Sequence, residues 1–221
     1  MGKKLPVIKT KRLLIQPMTN EEIRELIAEV SDEDLKEAYK QMLSGCEENP
    51  EKRDWYAPWK MLLKKEGTHI GELGFKGEPV EKTVEIGYGI LKEYEGNGYT
   101  TEAVDALILW AYGSGDVYFV EAETEPDNEA SKRVLNKLEF VPDGEGEERL
   151  RFVKESEQTN WVSVYMLFGL SIGTAIGSQI GSIAIGTALG ICLGMLLGVW
   201  LNSAWKKERE KARENRKKLR N

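Results

Sequence analysis

The segment TVEIGYGILKEYEGNGYTTEAVDALILWAYGS (residues 83–114) decides how the chain is read. Its first part alternates: Val84, Ile86, Tyr88 and Ile90 share one face of a strand, and Glu85, Gly87 and Gly89 share the other. Its last part, from Tyr99, carries Ala103, Leu107 and Ala111 on one helical stripe, with Val104 and Ile108 on the adjoining one. Between them, Gly96–Asn97–Gly98 turns strand into helix. Glycines allow a tight turn, and the free N–H groups of the helix start, here around Tyr99 and Thr100, face an anion with the helix dipole behind them. The turn by itself reads equally as a phosphate cradle or as a plain connection.

Working outward, LPVIKTKRLLIQPM (5–18) reads as a strand, and residues 19–45 as helical, with Thr19 or Asn20 as cap. Residues 61–77 and 83–94 read as antiparallel strands joined through turn residues Gly77 and Pro79. DVYFVEAET (116–124) is a strand, DNEASKRVLNKLEF (127–140) a capped helix running into another strand, and LRFVK (150–154) the last strand. The order β-α-β-β-β-α-β-α-β predicts a mixed α/β fold with one central sheet flanked by helices. The cluster Trp55, Tyr56 and Trp59 suits core packing better than a wall for a ligand, and His69 reads as a strand residue.

Charge divides the chain. Residues 161–205 contain no Asp, Glu, Lys, Arg or His, and residues 206–221 carry nine Lys/Arg against three Glu. The total of −6 therefore leaves −12 on residues 1–160. A part this acidic is poorly suited to nucleic acid, whose phosphates bind cations. Cys46 and Cys192 stand far apart, which argues against a disulfide framework, and a single histidine excludes multi-histidine metal sites. No metal is expected. The first residues are charged without an apolar core, unlike a signal peptide.

The uncharged run is about two membrane spans long. Its glycines fall at 169, 173, 177 and 181 and then at 186, 190, 194 and 198, a spacing of four that lines each set along one helix stripe. The slip to five around SQIGS (178–182) predicts a turn and a two-helix hairpin, 161–178 and 183–204, with Trp161, Tyr165, Trp200 and Trp205 as interfacial aromatics. A hairpin returns the basic tail to the side of the N-terminal part, and its charge argues that this side is cytoplasmic. A buried helix pair or an oligomerising glycine zipper is the alternative. The expected layout is 1–155 α/β domain, 156–160 linker, 161–205 membrane hairpin and 206–221 basic cytoplasmic tail.

Taken in order, KRLLIQPMT, IGELGF, VEIGYGI, GNGYTTEAV and AETEPDNEASKRVLNKLEFV make residues 10–154 resemble a GCN5-related N-acetyltransferase (GNAT) of the ribosomal-protein-alanine acetyltransferase (RimJ/RimL-like) branch. The resemblance implies acetyl-coenzyme A as co-substrate and transfer of acetyl to an amine, either a protein N-terminus or a small molecule. It implies that Gly96, Asn97, Gly98, Tyr99 and Thr100 hold the pyrophosphate, and that the backbone at Ile90 and Leu91 holds the pantetheine. The family's loop pattern, Gln/Arg-x-x-Gly-x-Gly/Ala, is broken here by Glu93 at its first position, and Glu95 adds a second carboxylate. Acetyl transfer needs a base for the amine and an acid for the departing thiolate. Glu85 is the first candidate base, Glu72 the second; Glu85 is otherwise an exposed or ion-paired strand residue.

Ser131 is the candidate acid, and Asn128 is either a contact to the pantetheine or simply a helix cap. Arg133, and Lys132 beside it, would bring positive charge near the cofactor or lie on a solvated face. Glu139 replaces the glycine usual after this helix, which costs stability where a left-handed conformation is required. The reading is a membrane-tethered N-acetyltransferase, with a non-catalytic acyl-coenzyme A-binding or partner-binding module as the alternative. The glycine stripes could also join copies into a homo-oligomer.

Overall fold

The stretch 5–18 is a hairpin in the computed structural model, which describes residues 5–145 and 149–219. Strands β1 (Ile8–Lys9) and β2 (Leu13–Pro17) pair antiparallel. The reversal is made locally, with Thr10 N–H donating to the Leu13 carbonyl at 3.0 Å and Leu13 N–H to Thr10 Oγ1 at 2.9 Å. The helical stretch 19–45 also divides, into α1 (Asn20–Glu29) and α2 (Glu33–Glu48). Thr19 and Glu22 form a capping box on α1. Val30 is extended, and Asp32 accepts from Leu35 N–H at 2.9 Å, so a new helix starts inside a pattern that runs on without a break in the sequence.

Strands β3 (Trp59–Leu63), β4 (His69–Phe75) and β5 (Thr83–Ile90) follow as an antiparallel meander. Helix α3 (Tyr99–Gly113) crosses to β6 (Phe119–Thr124), which runs parallel to β5. Helix α4 (Glu129–Lys137) leads into the pair β7 (Val141–Glu145) and β8 (Leu150–Glu155). The eight strands form one sheet in the order β1-β2-β3-β4-β5-β6-β8-β7, the mixed α/β architecture expected.

The α3 stripes Ala103, Leu107, Ala111 and Val104, Ile108 are fully buried in the core. Trp59 is buried too, its ring 5.0 Å from that of Trp110, which lies 4.9 Å from Trp55. Core packing is the use these tryptophans find. After α4, Glu139 stands at φ +60°, the conformation a glycine would take at lower cost.

By its contacts the chain divides into two compact units, Met1–Ser156 and Glu157–Asn221. The second consists of α5 (Trp161–Gln179) and α6 (Ile183–Leu219), joined by a turn in which Gly181 takes φ +79°. Both helices are long and apolar enough to cross a membrane. The glycine stripes face each other: a Cβ on Gly190 would strike the Gly169 carbonyl, and one on Gly198 the backbone at Val162. Absence of side chains lets the two backbones touch, as small residues do between helices in lipid. Large apolar side chains point outward instead, Leu193 and Leu196 being 66% and 68% exposed. Contrary to the expected end at 204, α6 runs on through the basic residues to Leu219. That stretch is built from helix formers and holds neither glycine nor proline.

Candidate active site

Strands β5 and β6 are paired only from Thr83↔Phe119 to Glu85↔Glu121. Beyond that point β5 stays with β4 as far as Ile90, and β6 stays with β8 as far as Thr124. Two parallel strands held by different neighbours part company, and the gap opens at their C-terminal ends, where α/β sheets place ligands. Glu85 C=O accepts from Lys76 N–H and Leu91 N–H donates to Ile70 C=O, both on the β4 side, whereas Lys82 C=O accepts from Phe119 N–H of β6. By that alternation the main-chain groups of Tyr88 and Ile90 turn toward the gap. A cavity of about 770 Å³ occupies it.

At one end the cavity is walled by Gly96, Gly98 and Thr100. Gly96 and Gly98 both have φ +74°, so the turn needs residues without a Cβ penalty, and Gly98 leads directly into α3. The Asn97 side chain is consumed in holding the turn, its Nδ2 donating to the carbonyls of Tyr94 and Glu95 at 3.1 Å each. Glu95 lines the cavity and Glu93 does not. The N–H of Leu91 is spent on Ile70 at 2.9 Å, so of the two backbone positions expected to hold pantetheine only Ile90 turns to the cavity.

Farther in, Tyr88 Oη and Ser131 Oγ lie 3.0 Å apart, both on the cavity wall. Burial pushes the Tyr88 phenol above its ordinary value, against the hydrogen bond to Ser131, so Tyr88 holds its proton through the neutral range. Tyr88 is a site residue that the sequence does not single out; its alternation with Ile86 and Ile90 is the only local signal for it. Asn128 caps α4, with Oδ1 accepting from Ser131 N–H at 2.9 Å, and also lines the cavity. Arg133 and Lys137 from the same helix add positive charge to the wall, while Lys132 is paired with Glu129 at 2.7 Å.

The carboxylates are distributed differently from expectation. Glu85 is ion-paired with Lys76 and lies outside the cavity lining, although Gly87 and Gly89 beside it face open space. Glu72 is held by His69, with Nε2 3.1 Å from Oε1. That contact raises the His69 pKa, against burial. Glu123, at the open end of β6, does line the cavity and is bonded to Arg151 Nε at 2.7 Å. Reading residues 116–124 as a strand gives no sign that it ends at a cleft; that follows only from where its pairing with β5 stops. Among the described residues no group of three or more His, Cys, Asp or Glu is placed to hold a metal ion.

Residues 12–141 match the acetyltransferase (GNAT) domain family. The chain is 32% identical over 107 residues to the uncharacterized N-acetyltransferase YjdG of Bacillus subtilis, covering 48% of this chain and 58% of that protein. It is 33% identical over 90 residues to the ribosomal-protein-serine acetyltransferase of Escherichia coli, covering 40% and 50%. It thus spans about half the length of each. In fold it is similar to RimL, a ribosomal L7/L12 alpha-N-protein acetyltransferase, in complex with coenzyme A. The TM-score is 0.55 at 16% identity, covering 68% of this chain and 98% of that one.

Proposed function

The chain belongs to the GNAT acetyltransferase family, and from that premise we propose that it is an acetyl-coenzyme A-dependent N-acetyltransferase, held at a membrane by α5 and α6. One observation carries the catalytic reading: the cleft between the parted strands has a glycine turn and helix start at one end and a hydroxyl pair at the other. These residues fit the co-substrate. The N–H groups at the start of α3 suit a pyrophosphate, and the unpaired β5 edge at Ile90 suits the amide-bearing pantetheine arm. Acetyl-coenzyme A supplies the acetyl group as an activated thioester.

The chain's own residues then have three tasks. The Ile90 main chain orients the carbonyl and its N–H steadies the negative charge that develops there. Ser131 gives its hydroxyl proton to the departing sulfur and regains one through Tyr88, which takes its own back from water in the open cleft. A carboxylate takes the proton from the amine. Glu123 is the favoured base because it lines the cleft. Glu85, facing the open space over Gly87 and Gly89, is the second, acting through water and only after release from Lys76. The acidity of residues 1–160 favours a cationic acceptor. A protein N-terminal amine suits the relation to ribosomal-protein acetyltransferases, and a small amine fits equally.

The membrane reading is supported by the outward apolar faces of both helices and by the basic residues that follow. On it, the tail and the catalytic unit lie on the cytoplasmic side, where acetyl-coenzyme A is made. A homo-oligomer would use the outer faces of the hairpin, because its glycines are occupied with each other.

The test is thiol release from acetyl-coenzyme A by the full chain in mild detergent, across a panel of amines and N-terminal peptides. Turnover that survives in wild type and falls in Glu123→Gln supports the first base; a fall only in Glu85→Gln supports the second. Coenzyme A binding without turnover on any amine would favour the non-catalytic binding module. Extraction of the chain from membranes by alkaline carbonate would contradict the hairpin.

A further inference from the structure

Strand β6 ends on a hydroxyl that has nothing to bond. Thr124, its last residue, lines the cleft and is only 4% exposed. Among the described residues its Oγ1 has no hydrogen-bond partner. Val120 and Ala122, on the same face of β6, belong to the apolar core. A valine would fill the place of Thr124 as well and strand no polar atom. A hydroxyl taken from water and left unpaired weakens the fold, so its place in a cleft wall points to a partner that arrives with the ligand.

The register of the sheet says what Thr124 faces. Val84 stands opposite Val120, and Glu85 opposite Glu121. The step of four residues from Val84 to Tyr88 matches the step from Val120 to Thr124. Tyr88 and Thr124 therefore lie at one level and on one side of the sheet, although the strands have parted by then. β4 holds Tyr88 through Leu73, and β8 holds Thr124 through Leu150. Tyr88 Oη meets Ser131 Oγ at 3.0 Å, and α4, which carries Ser131, begins at Glu129 directly after the turn that follows Thr124. Three hydroxyls, one each from β5, β6 and α4, thus wall one level of the cleft. Two of them bond each other, and the third is left over.

We propose that Thr124 is a further catalytic residue: when the cofactor binds, its hydroxyl turns into the cleft and donates a hydrogen bond to the coenzyme A sulfur, across from the Ser131–Tyr88 pair. This rests on the acetyl-coenzyme A reading above, which sets the sulfur at Ser131. In the free chain Oγ1 is shielded from water, and one staggered step of about 120° about Cα–Cβ moves it. Thr124 transfers no proton. As the bond between sulfur and the acetyl carbon breaks, the charge building on sulfur meets two donors instead of one, and Ser131 delivers the proton. The hydroxyl is stranded in the free chain and satisfied in the complex.

Two variants of the full chain in mild detergent test this. Thr124→Val keeps the volume and removes the hydroxyl; Thr124→Ser keeps the hydroxyl and removes the methyl. Without ligand, Thr124→Val should melt no lower than wild type, because the group it loses is unpaired. Its single-turnover acetyl transfer should fall by about ten-fold or more, the loss expected of a hydrogen bond to a charged atom, and Thr124→Ser should recover most of that loss. Titration of bound coenzyme A, followed by the ultraviolet absorbance of its thiolate, gives a reading that packing alone would not move. A donor to the thiolate favours the ionised form, so the bound thiol should ionise at higher pH in Thr124→Val than in wild type. A wild-type rate in Thr124→Val, an unchanged thiol titration, or no recovery in Thr124→Ser overturns the proposal. So does a lower Tm of ligand-free Thr124→Val, since the hydroxyl would then be bonded already. A wild-type chain that binds no coenzyme A fails at the earlier step and removes the functional reading together with this one.

Discussion

Replacing Ser131 with Ala removes the hydroxyl that faces the cleft and leaves Tyr88 Oη without its partner at 3.0 Å. If Ser131 delivers the proton to the sulfur, the loss is that of a general acid, about 10²–10⁴ in kcat. Tyr88→Phe keeps that hydroxyl, which water can then reprotonate directly, and removes the hydrogen bond behind it. One such bond contributes about 0.5–1.5 kcal/mol, which is about two- to twelve-fold in rate. The order of the two effects is the content of the prediction. Single-turnover acetyl transfer, followed by thiol release, separates the chemical step from product departure. The pH profile adds a second reading: burial raises the Tyr88 pKa, so its proton is retained as pH rises through the neutral range, and no loss of rate there should arise on its account. A Ser131→Ala enzyme within two-fold of wild type would refute the assignment. A Tyr88→Phe loss larger than that of Ser131→Ala would transfer the role to the phenol.

Three further outcomes follow from the packing. Glu139→Gly relieves a left-handed backbone that costs about 1–2 kcal/mol, against about 0.5–1 kcal/mol of added chain entropy, so Tm should rise by about 1–4 °C. The ion pair of Glu139 with Lys154 is 4.0 Å long and its carboxylate side 86% exposed, so its removal costs little, and a lower Tm would contradict the account. Gly190→Leu should push α5 and α6 apart by about 2 Å, read as the distance between spin labels at positions 163 and 203; an unchanged distance would mean the glycine contact does not set the spacing. Burial alone would raise the Glu102 pKa, but hydrogen bonds from Thr10 and Arg12 outweigh it and hold the carboxyl below its ordinary 4.5. A lowered folded value gives stability that is present above pH 4.5 and is lost as pH falls through the folded value. Glu102→Gln should therefore flatten the acid side of the Tm–pH curve, and parallel curves would rule this out.

Much of the fold is legible locally. The α3 stripes, the capping of α4 by Asn128 and the turn at Gly181 each depend on residues within a few positions of one another, and periodicity or cap chemistry reveals such relations directly. Two local signals escape for the same reason: Thr10 reversing the first strand and Asp32 restarting a helix are single side-chain hydrogen bonds inside patterns that otherwise continue. Glu139 shows the opposite case, where a residue at odds with its position points to the left-handed backbone that the fold adopts there.

What the sequence determined by itself is the set of parts: an acidic α/β unit with a glycine turn feeding a helix, then an uncharged pair of helices whose glycines repeat every four residues. Tertiary structure alone decided how those parts make a site. The cleft exists because β4 and β8 hold β5 and β6 past the point where they cease to hold each other, a competition among strands far apart in the chain. The same long-range pairing moves Glu85 onto Lys76, brings Glu123 to the opening, joins Tyr88 to Ser131 across 43 residues and sets Arg12 against a loop 85 residues away. Periodicity records which face a side chain takes. It carries no information about which distant side chain faces it.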